Sequence, residues 1–128
     1  MDVVNAFTNS DLDEVIYCKC LEGFTINGFC LLLLRALYGL RRSPLLWLQE
    51  FTKTLLDLQL KRVNEDMCLF TNEWLTVFFY VDDIVLLFQE KDMHKYTEFK
   101  KELMTRYEIR DIGDLTWFLR IRITQDFD

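Results

Sequence analysis

A single proline, four glycines and one histidine (His94) in a chain of 128 residues exclude several ways of building a protein. Proline-rich and glycine-rich linkers are absent, as are repeats and low-complexity tracts, so the sequence reads as one continuous domain over 1–128. The four cysteines, Cys18, Cys20, Cys30 and Cys68, form no C-x-x-C pair. With one histidine to complete a ligand set, no zinc site is expected, and the cysteines read as free thiols of an intracellular protein. Long apolar runs are missing too. "FCLLLL" (29–34) is too short to cross a bilayer and no signal peptide is visible, so no membrane partner is expected.

Positive charge is also scarce. The net charge of −6 argues against strong nucleic-acid binding by the chain as a whole. Its distribution matters more: residues 35–62 hold six basic and two acidic residues, whereas residues 63–90 hold six acidic and no basic ones. Acid gathered in one stretch suits either a cation site or a solvated surface.

What the chain does have is apolar and aromatic mass, 51% and 15% of its residues, enough for one packed core. After "RRSPLLW", Ser43 is placed to cap a helix and Pro44 suits its first turn. Trp47, Leu48, Phe51, Leu55 and Leu58 recur at helical spacing as far as about Leu60. A second helix is expected from near Asp92, with Tyr96, Phe99, Leu103 and Tyr107 on one face. Between them lie strand-like stretches at 68–70, 74–81 and 84–88, and "LTWFLRIRI" (115–123) reads as a final strand after a turn at 110–114. If a strand precedes residue 44, the order is the split β-α-β-β-α-β arrangement, an α+β fold with an antiparallel sheet and two helices on one face.

The sharpest question sits in "FFYVDDIVLLF" (78–88). Asp82 and Asp83 interrupt an apolar run, and the two polar residues between two β-rich stretches predict a tight hairpin with the carboxylates at its tip. Adjacent like charges in apolar surroundings need compensation by water at a turn, by a basic partner or by a metal ion. In the split arrangement the first strand lies beside this hairpin, which would bring Asp2 of "MDVVNAF" to face the pair. Three convergent carboxylates pack a core poorly but suit magnesium, a hard cation that keeps waters a phosphate can displace. Two such ions can stabilise both oxygens of an in-line phosphoryl displacement.

Seven segments, "MDVVNAFTNSDLDEVIY", "EGF", "ALYGLRRSP..W", "DMCLF", "YVDDIVLL", "FKKELMTRYEIRDIGDL" and "WFLRIRI", stand in the order found in copia-type retrotransposon reverse transcriptases, and the chain resembles that family over its whole length. The resemblance implies a right-hand polymerase palm with the start of the thumb-side primer-grip strand. The first strand would be truncated, and the fingers and the RNase H region absent. It implies an RNA-directed DNA polymerase of a Pol polyprotein, adding deoxynucleotides to a primer 3′-hydroxyl on an RNA or DNA template. Asp2, Asp82 and Asp83 would be catalytic and, with the Val3 carbonyl, would hold two Mg2+ ions, for which Mn2+ can substitute. Asn5, Ala6, Phe7, Tyr38 and Gly39 would line the incoming triphosphate, Phe7 crowding the sugar 2′ position. Arg41, Arg42, Trp117, Phe118, Leu119 and Arg120 would touch template or primer. The partners implied are nucleic acid, deoxynucleotide triphosphates and the rest of the polyprotein, including integrase, in a cytoplasmic particle or the nucleus.

The chain departs from the family at Arg120 and Met67, where glycine and proline are usual, and by an extra residue near Leu31 to Leu34. Arg120 is expected to disturb a close backbone approach. These departures support an alternative expectation, a catalytically inactive remnant acting at most as an interaction module.

Overall fold

The computed structural model describes residues 1–126. The first helix, α1 (Ser43–Asp57), forms where the helical spacing places it, and it buries Leu46, Trp47, Phe51 and Leu55 along one face. Its N-terminus differs from expectation. Ser43 lies inside the first turn, and its buried hydroxyl donates to the Leu37 carbonyl at 2.6 Å instead of capping the helix. The C-terminus closes as a Schellman motif: Leu60 N–H bonds Leu55 O and Gln59 N–H bonds Leu56 O, both at 3.0 Å. Gln59 holds the left-handed position at φ 65°, where glycine is usual. The second helix, α2 (Met93–Arg106), follows a single 3-10 turn at Glu90–Asp92 and buries Phe99 and Leu103.

Among the described residues, ten short strands accompany the helices: β1 (Asp2–Val3), β2 (Tyr17–Cys18), β3 (Leu31–Leu32), β4 (Lys61–Arg62), β5 (Leu69–Thr71), β6 (Leu75–Tyr80), β7 (Asp83–Phe88), β8 (Ile109–Arg110), β9 (Trp117–Phe118) and β10 (Ile121–Arg122). Six form one antiparallel sheet in the order β4-β5-β6-β7-β1-β8. The protein is therefore α+β with an antiparallel sheet and two helices. Along β6, Leu75, Val77 and Phe79 are buried and alternate with Thr76, Phe78 and Tyr80. The buried set enters one core cluster with Trp47, Phe51, Phe99 and Leu103 from both helices, and Phe51 meets Phe79 edge-on at 4.8 Å. No helix among the described residues is long and apolar enough to cross a membrane.

One predicted segment comes out differently. The stretch 115–123 is not one strand but a hairpin, β9–β10, turning at Leu119 and Arg120. Both turn residues have positive φ, 48° and 66°, the signature of a type I′ turn. Glycine at the Arg120 position would suit this turn geometry without strain. The leucines near 31–34 lie in or beside a second small hairpin, β2–β3, where Leu31, Leu32 and Leu34 are exposed.

Candidate active site

The hairpin between β6 and β7 closes one residue earlier than the polar pair suggests. Tyr80 pairs with Asp83, so the loop is Val81–Asp82 and Asp83 is the first strand residue. Val81 takes φ 55° at the first loop position, a left-handed conformation that a β-branched side chain resists. Two bonds hold the loop from outside: the Trp47 indole Nε1–H donates to the Val81 carbonyl at 2.6 Å, and the Val3 amide donates to the Asp82 carbonyl at 2.8 Å.

The second bond comes from β1, which lies beside β7 with Asp2 directly across from Asp83. A return bond, Ile84 N–H to Met1 O at 2.9 Å, fixes the same register. Asp2 and Asp83 therefore share one face of the sheet, and Asp82 stands in the adjoining loop. All three are partly buried. Burial first, then the neighbouring charges of Asp82 and Asp2, push the Asp83 carboxyl above its usual range.

No basic side chain offsets this charge. Arg110 stands across from Asp2 on β8, yet none of the three aspartates forms an ion pair among the described residues. The Met1 ammonium, which donates to the Ile84 carbonyl at 2.8 Å, draws the Asp83 carboxyl down without cancelling the upward push, so water and a cation remain as further compensation. The donor set is entirely oxygen, the chemistry a hard divalent ion prefers. The side chains do not gather into a closed cage: among the described residues no group of three His, Cys, Asp or Glu side chains is placed to hold a metal. Magnesium sites resting on one or two carboxylates plus substrate phosphates require no such cage.

Beside the carboxylates lies an aromatic pair. Phe7 is 6% exposed and its ring centroid is 4.3 Å from that of Tyr38, which is 54% exposed. The Tyr38 hydroxyl is pushed above its ordinary acidity range by partial burial and then by Asp82 and Asp2, which places the phenol within electrostatic reach of the carboxylates. Asn5 adopts a left-handed φ of 51° and opens the 3-10 turn in which Ala6 and Phe7 are buried. Gly39 has φ 94° in the turn after Tyr38, with open space where a side chain would sit.

The remaining candidates are dispersed. Arg41 is exposed with no ion pair among the described residues, whereas Arg42 is held in a two-pronged pair with Asp13. Trp117 is 63% exposed on the β9–β10 hairpin, and Phe118 packs edge-on against Phe78 at 5.3 Å on the sheet face away from α1. Leu119 and Arg120 form the turn itself.

A profile of the family described as reverse transcriptase (RNA-dependent DNA polymerase) matches residues 1–128. The chain belongs to the reverse transcriptase family. This reverse transcriptase chain is 26% identical over 134 residues to the retrovirus-related Pol polyprotein from transposon TNT 1-94 of Nicotiana tabacum, and the match covers 98% of the chain and 10% of that protein. It is 31% identical over 132 residues to the putative transposon Ty5-1 protein of Saccharomyces cerevisiae, again over 98% of the chain and 42% of that protein. The chain thus spans less than half the length of either relative. No solved structure gives a significant match. Two residues of the site lie inside the motif segments "ALYGLRRSP..W" and "YVDDIVLL" but take no role from them. Beyond the motifs, Trp47 reads as a helix core residue and Val81 as a strand end. The one available signal is that a buried indole needs an acceptor.

Proposed function

We propose that the chain is the palm region of a copia-type retrotransposon reverse transcriptase, which transfers deoxynucleotides to a primer 3′-hydroxyl on an RNA or DNA template. The observation that carries this reading is the pairing of Asp2 with Asp83, with Asp82 tied to Val3 in the adjoining loop and no lysine or arginine ion-paired to any of the three among the described residues. The order β8-β1-β7-β6, with α1 and α2 in the two crossovers, is that of the split β-α-β-β-α-β motif and supports the palm assignment.

Asp2, Asp82, Asp83 and the Val3 carbonyl are the residues that would hold two Mg2+ ions. Those ions would supply the positive charge that stabilises the attacking and leaving oxygens of a phosphoryl transfer. The chain's own residues orient the substrates. Tyr38 and Gly39 border the nucleotide, Asn5 and Ala6 lie along its triphosphate, and the Phe7 ring beneath Tyr38 fills the space a ribose 2′-hydroxyl would need. Arg41 and the exposed Trp117 are the candidates for template and primer contact. Arg42 would have to exchange Asp13 for a phosphate. The remainder of the polyprotein would supply the other partners.

Manganese binding, read from the loss of the free-ion spectroscopic signal, tests the reading. The chain is expected to bind, and Asp2→Ala and Asp82→Ala are each expected to weaken binding. In the complete enzyme, Asp82→Asn is expected to abolish primer extension. A second reading, a non-catalytic remnant, draws on the carboxylates of the described residues not gathering into a closed cluster. It prevails if the chain does not bind manganese or if Asp2→Ala changes nothing.

A further inference from the structure

The loop that carries Asp82 is held by a residue outside the carboxylate set. Trp47 is 1% exposed in α1, and its indole N–H reaches the Val81 carbonyl at 2.6 Å, across 34 positions of sequence. Its ring is otherwise fixed by Phe51 at 5.0 Å and Tyr107 at 5.4 Å, so it has little freedom to follow a moving acceptor. The acceptor belongs to a strained residue. Val81 sits at φ 55°, a conformation in which a β-branched residue is a genuine outlier and which survives only where surrounding contacts over-determine it.

A hairpin loop of two residues has two carbonyls to direct. Here Asp82 O is taken by Val3 on one side and Val81 O by Trp47 on the other. The β1 bond sets the height of the loop against Asp2. The indole bond sets the rotation of the Val81–Asp82 peptide and hence the direction in which Asp82 leaves the backbone. We infer that Trp47 is a positioning residue for Asp82, its indole N–H locking the strained Val81 peptide so that the loop carboxylate is presented beside Asp2 and Asp83. The inference rests on the proposed metal-binding role of Asp82 for its catalytic meaning, but the locking of the loop is testable without it.

The test replaces Trp47 with β-(3-benzothienyl)alanine, which keeps the shape of the indole but has sulfur in place of N–H, so the core stays filled. Trp47→Phe serves as a coarser second variant. Amide hydrogen exchange is read at Val3 and Ile84, which bond across β1 and β7, and at the remote amides of Leu60 and Asn72. Loss of one buried bond is expected to speed exchange at Val3 and Ile84 by about tenfold while Leu60 and Asn72 hold. Val81→Gly in the same background is expected to restore protection, because glycine takes φ 55° without strain. Manganese affinity is expected to fall by about tenfold in parallel. Equal acceleration at all four amides, or none, overturns the inference, as does a Val81→Gly change that restores nothing. If the unsubstituted chain binds no manganese, the metal reading fails, and the exchange pattern alone decides whether Trp47 positions the loop.

Discussion

Arg120→Gly is expected to stabilise the β9–β10 hairpin, and its size can be worked from the turn. Leu119 and Arg120 occupy both central positions with φ 48° and 66°. A side-chain-bearing residue in that region costs about 1–2 kcal/mol, against which glycine forfeits about 0.5–1 kcal/mol of chain entropy, leaving a net gain of about 0.5–1 kcal/mol. The gain is local, because a two-stranded ribbon opens independently of the core and is marginal by itself. Global unfolding would miss it. The reporter is the Ile123 amide, which bonds the Thr116 carbonyl at 2.9 Å just outside the turn. Its exchange is expected to slow by about two- to fivefold in Arg120→Gly, and further in Leu119→Asn/Arg120→Gly, which installs the preferred Asn-Gly pair. Arg120→Ala controls for loss of the cation and is expected to leave the rate unchanged. Unchanged or faster exchange in Arg120→Gly would refute the turn argument and return the family's glycine to a role in close backbone approach.

Gln59→Gly relieves the same strain at the end of α1 and is expected to raise global stability by about 0.5–1 kcal/mol in urea denaturation, since α1 belongs to the core. Tyr107→Phe removes a buried bond of 2.5 Å to the Thr54 hydroxyl and is expected to cost about 1–2 kcal/mol by the same assay. Lys100 and then the Gly113 amide hold the Asp111 carboxyl below its ordinary value of 3.8. A lowered folded value stabilises the native state above that pH, and the contribution is lost as pH falls through the folded value. Asp111→Asn is therefore expected to cost about 0.5 kcal/mol at neutral pH, the difference from the parent narrowing below about pH 4.

How much of this was legible in the sequence depends on whether local pattern or distant contact decides each feature. The stripe from Trp47 through Phe51 to Leu55 and the alternation of Leu75, Val77 and Phe79 are local, and both elements formed where the pattern places them. The hairpin loop is different. Closing at Val81–Asp82 or at Asp82–Asp83 leaves the same alternate residues of both strands on the core face, so the hydrophobic pattern cannot separate the two. The polar pair favours the later closure. What decides for the earlier one is tertiary: the Trp47 bond to Val81 O, the Val3 bond to Asp82 O, and the pairing of Asp83 with Asp2. A capping role for Ser43 fails for a related reason: the helix starts one residue earlier, with Arg42 at the N-cap, and the Ser43 hydroxyl donates to the Leu37 carbonyl. The misread turn is also, among the described residues, the one place where a β-branched residue is driven to positive φ, beside carboxylates that no lysine or arginine pairs. A chain that bends its own local rules there, and spends a buried indole N–H to hold the result, has reason to fix that loop more firmly than packing alone requires.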